Sequence, residues 1–397
     1  MVGSCGAHSS KLGMDDCGLF PFLCILRQCL VPLSPSVGTR TRDRATDDRD
    51  TRARARMRVH VTAFSHDLID DDVHPAAVAF ALVLIVATAL SLVRRMAARR
   101  TCFIDTHVHL WSEMDGLPPW LVSDPALASI AVTHSIDDHA IAAGRGLTKA
   151  VYMEVDVAAP MRDAEAERIV ALIKDPTNAL AGAVIGAPVV DGSLDEFAAY
   201  ARRWAREPAV KGVRQVLHIH PRKTCLRSDV VAKAKLCGEL DLVFELCMRC
   251  DELADAAELA AQAPQCRFVL DHCGGHHQLT ADAGADKRKA WEEGIRKCAK
   301  LPNVWCKLSG LMGAQGGAKG SGSGVAAWSP DEQLVTMRFC QRAFEPNRLI
   351  YGGDWPVSTL TAPLNENISC MLRLLADEDE AVRAMVLREN AMEVYRL

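Results

Sequence analysis

The sequence predicts an α/β protein: a (β/α)8 TIM barrel over residues 102–397, preceded by an N-terminal extension of different character. Three observations lead there. Short apolar runs alternate with longer stretches of helical period, which implies a parallel sheet. Eight such units fit into about 290 residues, the size of a closed barrel. Ionisable residues recur at the C-terminal ends of the runs, the face on which barrels carry their chemistry.

The runs are CFIDTHVHL (102–110), KAVYMEV (149–155), GAVIGAPV (182–189), GVRQVL (212–217), LVFELCM (242–248), RFVLDHC (267–273), NVWCKLSG (303–310) and LIYGGDWP (349–356). Ala- and Leu-rich helical stretches lie between them, for example 164–174, 194–206, 229–240 and 252–263. An open doubly wound sheet would carry a Gly-rich phosphate loop after its first strand. Here that strand ends in His-Val-His. The Gly/Ser-rich stretch 315–327 reads as a flexible insertion after the seventh strand, in preference to a mobile lid.

Hydrophobic residues make up 49% of the 397-residue chain, enough for a large core, and the net charge of −4 gives no sign of a nucleic-acid partner. The 15 cysteines are odd in number and irregularly spaced, which suits reduced thiols in a reducing compartment. Cys247 and Cys250 form a CxxC pair with no second pair to complete a zinc ribbon, so a structural role is expected.

The extension divides in two. Residues 1–75 include TRTRDRATDDRDTRARARMR (39–58) and are expected to be disordered and of low complexity. Residues 76–93 carry no charge and are long enough for one membrane span. Asp67, Asp70, Asp71 and Asp72 precede them and Arg94, Arg95, Arg99 and Arg100 follow. The positive-inside rule then puts the barrel on the cytosolic side of a membrane anchor. Two readings compete. The segment is a targeting signal that is cleaved, leaving the barrel cytoplasmic or organellar, or the whole extension is absent from the mature protein.

In a strand, residues i and i+2 share a face. His107 and His109 therefore project together and make half of a metal site. The same rule offers Glu154, with Tyr152 and Asp156, from the second strand, and Arg214 with His218 from the fourth. It offers His272 from the sixth, Lys307 and Ser309 from the seventh and Asp354 from the eighth. So many ionisable groups aimed at one interior are costly unless they bind something or each other. Structural roles compete for some of them. Lys307 has Glu154 as a potential partner, and Glu245 is expected to be buried against Arg249. His134, His139, His276 and His277 are expected at the surface or rim.

The stretches FIDTHVHLW, KGVRQVL, FVLDHCGG, LPNVWCKLSGL and YGGDWPVS resemble the amidohydrolase superfamily. More narrowly they resemble its branch of metal-dependent barrel hydrolases that includes sugar-acid lactonases and the pyrone-dicarboxylate lactonase. The resemblance covers 102–397 and none of the extension. It implies that His107 and His109 are a metal-ligand pair, and that His272 binds metal or polarises the substrate carbonyl. It implies that Asp354 takes a proton from the attacking water. Arg214 matches a position that holds a substrate carboxylate or carbonyl in relatives. Glu154, His218 and Trp111 complete the expected substrate-binding set. The chain departs from the wider superfamily in lacking a histidine on the fifth strand, and Lys307 lies on the seventh strand, so one metal is expected and not two.

The resulting expectation is a hydrolase that opens a lactone or related cyclic ester, its substrate a sugar-acid lactone or a carboxylated lactone. One divalent ion of the Zn2+ type, held by His107, His109, His272 and Asp354, acidifies the water. Asp354 is the general base, and Arg214, His272 or Lys307 stabilises the oxyanion. A non-oxidative decarboxylase and a non-catalytic, membrane-tethered barrel are the rival readings.

Overall fold

The computed structural model describes Thr88 and residues 102–279, 284–311 and 329–397. The extension, apart from Thr88, and the Gly/Ser-rich stretch 315–327 lie outside the described residues. So does the expected membrane segment apart from Thr88. Among the described residues no helix is long and apolar enough to cross a membrane.

Eight parallel strands follow in sequence order around one sheet: β1 (Phe103–Val108), β2 (Leu147–Met153), β3 (Leu180–Gly186), β4 (Val210–Arg214), β5 (Val243–Leu246), β6 (Arg267–Leu270), β7 (Val304–Leu308) and β8 (Leu349–Tyr351). A helix follows each: α1 (Ile136–Ala143), α2 (Arg162–Ile173), α3 (Leu194–Trp204), α4 (Ser228–Glu239), α5 (Leu253–Gln262), α6 (Ala285–Ala299), α7 (Pro330–Phe344) and α8 (Leu364–Leu374). The final helix, α9, spans Asn390–Tyr395. Local sequence sets the helix starts. Ser135 with Asp138, and Ser193 with Glu196, form reciprocal capping boxes at α1 and α3. Ser329 caps α7 ahead of Pro330.

The ring closes at its upper rim. Val108 and Trp355 form a parallel bridge, His109 N donates to Trp355 O at 2.8 Å, and Asp354 N donates to His107 O at 2.9 Å. Lower down, Thr106 Oγ1 donates to Tyr351 O at 2.6 Å and Gly353 N to Asp105 Oδ1 at 2.7 Å. Closure thus uses the loop after β8, and for that reason β8 is shorter than its apolar run.

The barrel interior is a branched apolar layer of Ile104, Val151, Met153, Val184, Val243, Val269, Trp305 and Ile350. β4 contributes no side chain to it: Gly212 lies so close to Val243 that a Cβ would stand 2.7 Å from the Val243 carbonyl oxygen. Ala391, Val394 and Tyr395 from α9 join the same interior cluster. Strand alternation also corrects one expectation. Val151 and Met153 point inward, so Tyr152 points outward and donates to Glu165 Oε1 of α2 at 2.7 Å.

Tyr395 is wholly buried and its hydroxyl donates to Glu245. Tyr395→Phe strands that carboxyl group without removing volume and is expected to cost about 1–3 kcal/mol. Tyr395→Ala adds a cavity and should cost about 3–5 kcal/mol. Urea unfolding measures both, and a Tyr395→Phe variant as stable as the wild type would show that the hydroxyl contributes nothing.

Candidate active site

Above the apolar layer, the same period of two places a charged layer. Glu245, Asp271 and Lys307 lie two residues beyond Val243, Val269 and Trp305, and all three are buried. Lys307 Nζ lies 2.9 Å from Glu245 Oε2 and 3.2 Å from Asp271 Oδ1. Arg214 completes the layer. Its Nε donates to Glu154 Oε1 at 2.5 Å, one terminal nitrogen to Glu154 O at 2.7 Å and the other to Asp271 Oδ2 at 3.2 Å. Lys307 therefore pairs with Glu245 and Asp271, not Glu154. Glu245 pairs with Lys307 and Tyr395, while Arg249 binds Glu252 and the His220 carbonyl.

The electrostatics of this layer are settled by pairing against burial. Burial would raise the Asp271 carboxyl, but Lys307, His107 and Arg214 hold it well below the usual carboxylate range. Burial pushes Glu245 up to about 8 despite Lys307.

His107 reaches the mouth through a register irregularity between Asp105 and Val108. Ile104 faces the interior, so a regular strand would send His107 the other way. Asp105 fixes the irregularity: its Oδ1 accepts from His107 N at 3.1 Å and its Oδ2 meets His139 Nε2 at 3.0 Å. His139 is thus a buried partner of β1 and not a rim residue. His276 is buried as well, with Nε2 at 2.9 Å from Thr336 Oγ1.

Three donor atoms converge on one point. His107 Nε2 and His109 Nε2 each lie 3.6 Å from Asp354 Oδ1. His109 Nδ1 is 3.0 Å from Met153 O, and a carbonyl only accepts, so Nδ1 carries the proton and Nε2 presents a lone pair. His107 Nδ1 faces Asp271 Oδ1 at 3.4 Å, which favours the same tautomer. Neither ring nitrogen of His107 has a hydrogen-bond partner. Two lone pairs and a carboxylate oxygen facing each other in a buried site repel unless a cation sits among them. Ligands about 2.0–2.1 Å from a tetrahedral ion stand about 3.4 Å apart, close to the 3.6 Å observed. These residues fit a divalent metal ion.

His272 stands beside this trio and not within it. Its ring centroid is 4.6 Å from that of His107, and Nδ1 lies 3.0 Å from Ser309 Oγ. It is grouped with His107 and Asp271 as a second possible set of donors. The residues His272, Cys273, Gly274 and Gly275 all have positive φ, as does Asp354. These left-handed turns swing His272 and Asp354 over the mouth after β6 and β8 have ended. Gly310, also at positive φ, lies where a Cβ would overlap the His272 imidazole.

A cavity of about 320 Å³ opens above these groups. His109, His272, Asp354, Asp156, Arg214, His218 and His277 supply its polar wall, and Trp120, Val155, Val216, Ile219 and Val357 much of the apolar one. Two expected substrate contacts are not there. Trp111 packs away from the cavity, donating to Ile130 O and Val132 O, and Trp120 takes the place expected for it. Glu154 is buried beneath the cavity with Arg214 and Asp156 N. Cys247 lines the wall, 3.5 Å from His218 Nδ1. Asp271 was legible in RFVLDHC by counting two from Val269. Trp120 and His277 carried no local signal.

Burial pushes His218 down to about 4 and His277 down to about 3, so both are neutral at neutral pH. Burial would raise Asp354, but His272, His109 and His107 hold it well below the usual carboxylate range. Among the described residues the cavity therefore offers no unpaired cation, since the Arg214 guanidinium is ion-paired with Glu154 and Asp271.

A scan against protein families matches residues 104–397 to the amidohydrolase family. An uncharacterized protein of Sinorhizobium fredii is 25% identical over 315 residues, 74% of this chain and 98% of its own. A protein of Burkholderia ambifaria named L-fucono-1,5-lactonase is 28% identical over 206 residues, 49% of this chain and 63% of its own. Among solved structures, an amidohydrolase from Burkholderia multivorans with bound zinc superposes with a TM-score of 0.63 at 23% identity. That match covers 75% of this chain and 100% of the other.

Two outcomes follow from the geometry. Arg214→Met leaves Glu154 buried without its cation and Asp271 with Lys307 alone, and should cost about 3–5 kcal/mol in urea unfolding. The pH dependence follows from His218, His276 and His277, depressed by burial to about 4, 4 and 3 from 6.5. The unfolded chain binds protons that the folded chain refuses, so stability is full above pH 6.5 and falls as pH drops towards about 4. Thermal melting of chelator-treated protein measures this, and a Tm constant from pH 7 to 4.5 would contradict it.

Proposed function

The chain belongs to the amidohydrolase family, and from that membership we propose that it hydrolyses the ring ester of an uncharged sugar lactone. The observation that carries the reading is the convergence of His107 Nε2, His109 Nε2 and Asp354 Oδ1 on one buried point, at the floor of a cavity with no unpaired cation among the described residues. The similarity to a protein named L-fucono-1,5-lactonase supports the same substrate class.

His107, His109 and Asp354 would hold one divalent ion of the Zn2+ type. When bound it supplies Lewis-acid polarisation and makes water acidic enough to attack at neutral pH. Asp354 takes the proton of the attacking water. Ser309 Oγ accepts from His272 N at 3.3 Å and can donate its own proton to His272 Nδ1. That arrangement leaves Nε2–H of His272 as the donor to the lactone carbonyl oxygen as it gains charge. Lys307 and Arg214 act from below, by fixing Asp271 and through it the ring of His107. Arg214 is already ion-paired with Glu154 and Asp271, which weighs against carboxylated lactones and against decarboxylation of an aromatic acid. Trp120 and the apolar wall shelter the ring, and His218 and His277, both neutral, offer hydrogen bonds to hydroxyl groups.

The test is a panel of uncharged sugar lactones, carboxylated lactones and aryl carboxylic acids, read by acid release and CO2 release, with metal analysis of the same protein. Acid release from sugar lactones with one chelator-removable ion per chain is expected. Asp354→Asn should lower turnover by about 10²-fold or more with a smaller change in KM and an unchanged circular dichroism spectrum. CO2 release without lactone opening, or wild-type turnover in Asp354→Asn, would overturn the reading.

A further inference from the structure

The mechanism leaves one cluster of metal-ligating side chains unused. Cys273, Cys306 and Cys340 are wholly buried, and their Sγ atoms lie within 4.8 Å of one another. Three separate elements bring them together. Lys307 faces the barrel interior, so its neighbour Cys306 on β7 faces outward to the helical layer. Cys340 lies on the buried face of α7 with Met337 and Phe344. Cys273 belongs to the left-handed run that follows β6, held in place by a 2.8 Å hydrogen bond from Trp291 Nε1 to its carbonyl. In that turn His272 serves the cavity and Cys273 serves the layer behind it.

A single buried cysteine is an ordinary small apolar residue. Cys225, Cys237, Cys250, Cys266, Cys298 and Cys370 are also buried, and none joins a group of three ligating atoms among the described residues. Convergence sets the triad apart. Metal–sulfur bonds of about 2.3 Å place three sulfurs around one ion about 4 Å apart, so the observed cluster needs less than an ångström of contraction. The group has no histidine or carboxylate member. Nearby His276 has its Nε2 engaged by Thr336. Three soft donors without a fourth suit a three-coordinate monovalent ion better than tetrahedral Zn2+.

We propose that Cys273, Cys306 and Cys340 form a second metal site, separate from the His107/His109/Asp354 centre, that takes a thiophilic ion of the Cu(I) class in three-sulfur coordination. Each sulfur that binds as thiolate releases its proton to solvent, and no electron is transferred. The ion ties the turn carrying His272 to β7 and α7. Because it binds the folded chain, it also raises stability.

The experiment uses the full chain, reduced, stripped of metal and titrated anaerobically with Cu(I) held by a competing chelator. X-ray absorption at the copper edge should show a shell of three sulfurs, and Tm should rise. Cys306→Ser and Cys340→Ser should each abolish the sulfur-only signal, while Cys298→Ser, buried outside the triad, should keep it. Should the triad variants fold poorly, alkylation of the wild-type chain during denaturation gives a second readout. Bound Cu(I) should then shield Cys273, Cys306 and Cys340 above the other thiols. Copper with only nitrogen and oxygen neighbours, a signal unchanged in both triad variants, or protection of other cysteines would overturn the proposal.

Discussion

Asp271 holds three cationic or polar groups at once. Its carboxylate lies 3.2 Å from Lys307, 3.2 Å from Arg214 and 3.4 Å from His107 Nδ1, with no solvent contact worth counting. An isolated carboxylate at that depth would be prohibitively costly, and so would either cation. Together they satisfy one another, and the arrangement is rigid because each member has a second partner: Glu245 for Lys307, Glu154 for Arg214. Tyr395 extends the same layer to the C-terminal helix that closes the barrel from the other side.

This layer explains both what the mouth can do and what it cannot. It orients the ring of His107 and so the direction of its free nitrogen, which is one of the three ligand positions. It also consumes the positive charge. A barrel whose arginine met the cavity unpaired would select anionic substrates, whereas here the guanidinium in the wall is already paired with Glu154 and Asp271. The remaining polar wall is histidine and two aspartates, Asp354 and Asp156, which suits a neutral polyhydroxy ring. Specificity in this site is therefore decided by which charges are already paired, and not by which residue types line the cavity.

The upper rim follows a second constraint, the closing of the ring. β8 ends at Tyr351, and the Asp354 backbone reaches across to β1, where it bonds the His107 carbonyl. The residue that closes the barrel is thus also the one whose carboxylate meets both histidines. Asp105 serves both tasks in the same way, by bracing His107 N and Gly353 N with one oxygen and His139 with the other. Stability of the closure and geometry of the site are not separable here.

The sequence by itself determined the barrel, because hydrophobic periodicity and strand–helix alternation are local properties and each of the eight apolar runs overlaps a strand. It also placed His107, His109, His272 and Asp354 at the mouth, since strand-end position is read directly along the chain. Tertiary structure decided which charges pair. Glu154 with Arg214 and Glu245 with Lys307 are joined across some sixty residues of chain, and nothing in either local stretch names the partner. It decided the parity of β1, where an irregularity braced by Asp105 turns His107 inward against the alternation set by Ile104. It decided that Trp120 and not Trp111 lines the cavity, and that His139 and His276 are buried. These outcomes depend on neighbours brought together by ring closure, and sequence periodicity carries no information about the contacts that closure creates.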